Sequence, residues 1–376
     1  MNEQISKFLS ERIAANDFPS AVYLVAEKGE IVFHDALGFA VIKPEPFEAR
    51  LDTVYDLASL TKPLVTGLIA AILVDDKELR LSDSASVWVK SFNTADKRDI
   101  TLLQLLSHTS GLASWKPFYL EVNDPLKIES LVAGYPREFA VSSRVEYSDL
   151  NFTVLMSVIV SLANRPLNEV FQDKVFGHLQ LDDTCYNPLS EILISRIAGS
   201  EEGNQYERKT CWDLGYFGTG YPERDPDGYF RSSQIWGDVH DLNAYFMYGV
   251  AGHAGLFSTA EEVFRIALQF LPQYTQLLKP ETCELFHTNF TKGMNEDRSF
   301  AFQLASTKDS TAGTMMSPES FGHNGFTGTS LWIDPIKDRI FVLLTNRTHN
   351  HPLPFVNINS VRRRFHDIAI EELDKL

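Results

Sequence analysis

Only one serine in this chain is followed at the third position by a lysine, in Asp56-Leu57-Ala58-Ser59-Leu60-Thr61-Lys62. On a helix that spacing puts both side chains on one face, a turn apart. A hydroxyl at a helix start feels the partial positive charge there. A lysine in a desolvated cleft can lose its proton well below its usual pKa and so activate the serine. Alone, the tetrapeptide reads as a helix start with a solvated lysine. A second cluster, Val145-Glu146-Tyr147-Ser148-Asp149-Leu150-Asn151-Phe152, sets Tyr147 two residues before Asp149 at a helix entrance. A phenol there can relay protons between a serine and a leaving group. Alone, it reads as a core tyrosine with Ser148 or Asp149 as the cap. The third, Gly322-His323-Asn324-Gly325-Phe326-Thr327-Gly328-Thr329, leads into a strand. Its glycines let a substrate backbone approach, and a strand N–H can join that of Ser59 as an oxyanion hole.

In this order the three clusters resemble the penicillin-recognising serine hydrolases, in the branch of class C β-lactamases, DD-peptidases and related esterases. Leu103-Gln104-Leu105-Leu106-Ser107-His108-Thr109-Ser110-Gly111-Leu112 and Phe326-Thr327-Gly328-Thr329-Ser330-Leu331-Trp332-Ile333-Asp334-Pro335 resemble stretches of that family, and the likeness runs from about residue 17 to 347. It implies Ser59 as nucleophile, with Lys62, Tyr147 or both taking the first proton. It also implies an oxyanion hole from the Ser59 and Phe326 N–H groups, and substrate contacts from Asp149, His323 and Gly325. Asp149 stands where β-lactamases carry an asparagine. His323 replaces a permanent cation with a group expected to titrate near neutrality. Both departures count against efficient β-lactam hydrolysis, and acidification toward about pH 6 is expected to charge His323 and favour β-lactams relative to esters.

Two further stretches, Gly237-Asp238-Val239-His240-Asp241-Leu242-Asn243-Ala244 and Gly249-Val250-Ala251-Gly252-His253-Ala254-Gly255-Leu256-Phe257-Ser258-Thr259, resemble members associated with cell-wall fragments, including N-acetylmuramyl-L-alanine amidases. By that resemblance His240 and Asp241 bind substrate, orienting a leaving amine or a sugar, while His253 reads as a structural hydrogen-bonder. The resemblance implies no metal and no cofactor. The expected partner is a small-molecule ester, muropeptide or β-lactam. The competing readings are a true β-lactamase, a penicillin-binding sensor that does not turn over, and a protein that keeps the fold alone.

The elements that must position these residues follow from pattern. Residues 21–26 and 31–34 are β-formers around Lys28-Gly29, a hairpin. Residues 63–74 read as a helix with Pro63 in its first turn. A Gly/Pro-rich stretch at about 201–237, with Gly203, Gly215, Gly218, Gly220, Pro222, Pro226 and Gly228, reads as a loop. Residues 330–333 and 339–345 read as strands, and the tail from about 360 and the N-terminus read as helices. The fold class expected is α/β (α+β), β-lactamase/transpeptidase-like: one antiparallel sheet built from both chain ends and flanked by helices. The expected division is a discontinuous sheet lobe at 1–63 and 295–376, a mainly helical lobe at 64–294, and the active site in the cleft between them.

Composition sets the outer limits. The chain has 376 residues, 44% of them hydrophobic, enough for a large core. Its net charge of -16 repels phosphate backbones, so nucleic acid is not an expected partner. The one basic run, Arg362-Arg363-Arg364, reads as a solvated helix face. Cys185, Cys211 and Cys283 are distant and odd in number, and read as free, buried thiols. The first dozen residues carry no apolar segment of the signal-peptide kind. The apolar stretches at 64–74 and 152–163 are short for a bilayer. The expectation is a cytoplasmic protein with no membrane span, or a periplasmic one if a leader has been removed.

Overall fold

The computed structural model describes residues 1–190, 192–217 and 228–376. Gly218, Gly220, Pro222 and Pro226 of the expected loop lie outside them. The hairpin forms between β1 (Ser20–Glu27) and β2 (Glu30–Val41). Its turn residues Lys28 and Gly29 have φ of 53° and 77°, the left-handed pair that matches strand twist in a two-residue turn. With β3 (Phe47–Glu48), β4 (Gln303–Leu304), β5 (Phe321–Asn324), β6 (Ser330–Asp334) and β7 (Arg339–Thr345) it makes a seven-stranded antiparallel sheet. The strand order is β3-β2-β1-β7-β6-β5-β4. Ala21 of β1 lies opposite Thr345 of β7, so the two chain ends close one sheet.

Six helices matter for the site: α1 (Glu3–Ala14), α2 (Leu68–Asp75), α3 (Asp149–Ala163), α4 (Gln205–Asp213), α5 (Ala260–Ala267) and α6 (Asn359–Leu373). Side chains along β1 alternate between two faces. Tyr23 and Val25 pack outward with Ile5 and Leu9 of α1 and Phe365 of α6. Val22 and Leu24 pack inward, in a larger core that runs without a break through Leu64, Leu68, Phe152 and Val263. Helix α5, from the stretch expected to form the helical lobe, lies on β1 and β7. The inner face of the sheet and the helices of the middle stretch therefore share one core, while α1 and α6 cover the outer face.

Four expectations need correction. The stretch read as a loop holds α4 and a two-stranded ribbon, Gly199–Glu202 with Gln234–Trp236. The buried positions of α4 are Glu207 and Cys211, so no apolar stripe announces the helix. Cys185 is partly exposed, although Cys211 and Cys283 are buried. The helical run that begins at Ala58 extends to Asp75, longer than the apolar stretch alone, and is long and apolar enough to cross a membrane. Most of it is buried inside the protein, and it carries Ser59 and Lys62. Finally, Arg362 of the basic run is buried. Arg364 pairs outward with Glu371, and Arg363 reaches the Asp309 carbonyl.

Candidate active site

The serine sits on a strained turn. Ala58, just before it, has φ 47°, which costs a non-glycine residue on the order of 1–2 kcal/mol. The Asp56 carboxylate holds the turn by accepting the Ala58 N–H at 2.8 Å, and its other oxygen accepts the His240 N–H at 2.7 Å. Burial raises the Asp56 pKa despite those two donors. Ala58–Leu60 form a 3₁₀ turn and Lys62–Gly67 a π-helical one before α2 begins. In 3₁₀ geometry, side chains three apart eclipse, so Ser59 and Lys62 meet more directly than on an α-helix. Gly67 lets this run pass close to Ala301; a Cβ there would come 2.9 Å from the Ala301 Cβ.

Lys62 is fully buried among polar partners. Nζ donates to Ser59 Oγ at 2.8 Å and to the His253 carbonyl at 3.0 Å. It pairs with Asp149 Oδ1 at 2.8 Å. Burial by itself pulls the Lys62 pKa down, but Asp149 and Tyr147 outweigh it and the pKa is raised. The expected lysine amine with a depressed pKa is therefore not what forms here. The reason is Asp149, whose carboxylate lies beside the ammonium.

Tyr147 approaches from the entrance of α3, where the Ser148 hydroxyl caps the helix by accepting the Asn151 N–H. Its hydroxyl is hydrogen-bonded to both Ser59 and Lys62. Burial raises its pKa against the pull of Lys62, so it is a neutral phenol. Its ring lies between His108, 4.7 Å away, and His323, 5.7 Å away. His108 Nδ1 accepts the Ser148 N–H at 3.0 Å, which fixes the segment carrying Tyr147. The family-like stretch 103–112 thus buttresses the second cluster, a role its sequence did not disclose.

The third cluster is stitched to the first. Thr327 Oγ1 donates to the Asp56 carbonyl at 2.7 Å and Thr329 Oγ1 to the Leu57 carbonyl at 3.0 Å. Gly325 lies so close to Leu57 that a Cβ would press into its carbonyl. The Gly325 N–H bonds Thr329 O at 2.8 Å. His323 departs from expectation. Its Nδ1 donates to the Asn324 carbonyl at 2.9 Å. Burial, then the charges of Arg298 and Lys62, push its pKa well below the ordinary histidine value. It stays neutral at about pH 6, so mild acid does not supply the missing cation.

His240 and Asp241 do reach the cleft wall. His240 Nε2 lies 2.8 Å from Glu201, and its ring stacks 5.4 Å from that of Phe326. Asp241 caps the short helix Leu242–Phe246 and meets His253 Nε2 at 3.2 Å. Burial opposes its charge, but His253 more than compensates and lowers its pKa to about 2. That contact steadies the loop whose carbonyl holds Lys62. His253 itself is buried, in keeping with a structural role.

Ser59, Tyr147, Asp149, His240, Asp241, His323, Gly325 and Phe326 line one cleft of about 580 Å³. Sequence reasoning missed three arginines that also line it, Arg298, Arg347 and Arg362. Arg298 pairs with Glu296 at 2.6 Å. Arg347 donates to the Phe326 and Val356 carbonyls, and Arg362 to those of Gly325 and Thr329. Among the described residues neither of these two pairs with a carboxylate. Burial lowers the pKa of both, that of Arg362 to about 9 with help from Arg347. Arg362 could have been noticed, since it follows the buried Val361 and falls between the apolar positions of α6. Among the described residues no group of three or more His, Cys, Asp or Glu side chains could hold a metal ion.

Known proteins share this arrangement of elements. The Beta-lactamase family model matches residues 5–362. A protein of Escherichia coli (strain K12), provisionally named D-alanyl-D-alanine carboxypeptidase, is 27% identical over 372 residues, covering 92% of this chain and 82% of its own. One of the same provisional name from Salmonella typhimurium is 28% identical over 368 residues, with 89% and 80% covered. Two solved structures show the fold. The hydrolase EstCE1, with promiscuous acyltransferase activity, has a TM-score of 0.73 at 21% identity, covering 97% of both chains. A class C β-lactamase has a TM-score of 0.71 at 14% identity, covering 100% of this chain and 97% of its own.

Proposed function

Since this chain belongs to the β-lactamase family of serine hydrolases, we propose that it cleaves an amide or ester through an acyl-enzyme on Ser59, its preferred substrate a cell-wall peptide with a free terminal carboxylate. The observation that carries the reading is the contact of Ser59 Oγ with Lys62 Nζ at 2.8 Å, with the Tyr147 hydroxyl bonded to both. Ser59 Oγ attacks the carbonyl carbon and passes its proton to Tyr147 as Tyr147 gives its own proton to the leaving nitrogen or oxygen. A carbon–oxygen bond forms, the carbon–leaving-group bond breaks, and the phenol is neutral before and after. Water then attacks the ester by the same relay in reverse. The Ser59 and Phe326 N–H groups receive the oxyanion, and the Lys62 ammonium stabilises it further.

The carboxylate preference draws support from the half-buried Arg347 and the buried Arg362, cations without an acidic partner among the described residues, and from the names of the bacterial relatives. Small carboxylic esters are the second substrate class. To test the reading, intact-mass labelling with a fluorophosphonate is followed by peptide mapping. Release of D-alanine from a peptide ending in D-Ala-D-Ala is then compared with p-nitrophenyl acetate turnover. Labelling at Ser59, its loss in Ser59→Ala, and faster cleavage of the peptide are expected. Unchanged labelling of Ser59→Ala overturns the nucleophile, and a peptide left intact while the ester turns over overturns the substrate class.

A further inference from the structure

An amine that serves as a base needs a free lone pair, and an ammonium ion has none. Lys62 Nζ donates to Ser59 Oγ at 2.8 Å and to the His253 carbonyl at 3.0 Å, is hydrogen-bonded to the Tyr147 hydroxyl, and lies 2.8 Å from the Asp149 carboxylate as an ion pair. We infer that Asp149 is a positioning residue that locks Lys62 as an ammonium ion, so that acylation runs through the Tyr147 hydroxyl and not through a lysine amine. The inference rests on the reading of Ser59 as the nucleophile.

The surroundings of Lys62 single out Asp149. From α3 come Asp149 and the Phe152 ring, 6.0 Å from Nζ, and just before that helix the Tyr147 ring at 5.0 Å. From the loop at 249–255 comes only a carbonyl. Asp241, before the short helix at 242–246, acts on Lys62 through space, and its own carboxylate is occupied by His253. His108 and His323 are both kept neutral by burial and by the cations nearby. Arg298 lies 5.4 Å from the Tyr147 ring and adds positive charge. Among the described residues Asp149 is thus the one carboxylate in contact with the ammonium. An amide at this position would accept a hydrogen bond but bring no charge, leaving burial to favour the neutral amine.

The experiment measures the second-order rate of Ser59 labelling by a fluorophosphonate against pH for the full chain. Wild type is expected to show no Lys62 ionisation between about pH 6 and 9. Asp149→Asn should show one, its midpoint lower by at least about one unit, a tenfold change in amine fraction at fixed pH. Asp149→Glu should keep the wild-type profile. The new ionisation should vanish when Lys62→Arg is added, since guanidinium does not deprotonate in this range. Superimposable profiles for wild type and Asp149→Asn overturn the inference. If Asp149→Asn does not fold, the wild-type profile decides: no Lys62 ionisation between about pH 6 and 9 is expected, and an ionisation in that range that Lys62→Arg removes overturns the lock. Label found elsewhere than Ser59 defeats the proposed function. Label on Ser59 with unmoved profiles defeats only the role of Asp149.

Discussion

Lys62→Met leaves the Asp149 carboxylate without its cation, and breaking a buried ion pair from one side costs about 3–5 kcal/mol. Asp149 keeps some contact with solvent, so the lower end of that range is expected in urea unfolding. The double variant Lys62→Met with Asp149→Asn should recover part of the loss, because no charge is then left unpaired. A double variant as unstable as the sum of the singles would mean that the pair does not interact. The substrate preference also turns on Asp149. An ionised carboxylate has no N–H to donate to a β-lactam acylamino group, and its acceptor oxygen already faces Lys62. Nitrocefin should therefore acylate Ser59 at least about tenfold more slowly than a good ester, the equivalent of one missing hydrogen bond. Asp149→Asn should narrow that gap. A wild type that hydrolyses nitrocefin as fast as its best ester or peptide is instead a true β-lactamase.

At the scale of elements, the Ser59 turn, the π-helical run after it and strand β5 hold one another. The run passes Ala301 at Gly67, and a Cβ there would sit 2.9 Å from the Ala301 Cβ. Gly67→Ala should destabilise the protein by about 1–3 kcal/mol, as overpacking does, read as a lowered unfolding midpoint. Ester turnover should fall with it, since Lys62 sits one turn earlier. An unchanged midpoint would mean that the run shifts without cost. The helix from Pro63 and the strand from Ser330 were legible because apolar runs and turn residues mark them, whereas β5 at Phe321–Asn324 fell in a stretch read as leading into a strand. Helix α4 was not legible, because its buried face is Glu207 and Cys211 among polar neighbours. Its Tyr206 and Thr210, with Leu214 just after it, nonetheless line the cleft.

For the molecule as a whole, buried histidines set an acid limit on stability. Burial lowers the pKa of His108 and His323, and that of His366 to about 3. In the unfolded chain each takes up a proton near pH 6.5, a value typical of free histidine at about that pH. The folded state binds fewer protons below that point, so stability is fully present above it and falls as pH drops. Each such histidine contributes a slope of about 1.4 kcal/mol per pH unit. Unfolding free energy measured between about pH 7 and 5 should decline with more than one linked proton. A flat profile would mean that these imidazoles are protonated in the folded protein. His323 should remain neutral across that range, so the ratio of β-lactam to ester acylation should not rise toward pH 6 through this residue.

The amino-acid sequence by itself determined the nucleophile candidate, its lysine and tyrosine neighbours and the sheet built from both chain ends. The site residues rest on the resemblance of three ordered clusters to a known family, and the sheet on short-range information: a two-residue turn and an apolar run such as 339–345. Only the tertiary structure decided the charge states. Whether Lys62 is amine or ammonium depends on Asp149, which arrives from α3 far along the chain. Whether His323 titrates depends on its burial beside Arg298 and Lys62. Arg362 changes from one of three apparently solvated arginines to a cation in the cleft wall because α6 turns that side chain toward Gly325 and Thr329. Ionisation is set by solvation and by charges within a few ångströms, and those neighbours are brought together by folding, not by adjacency in sequence.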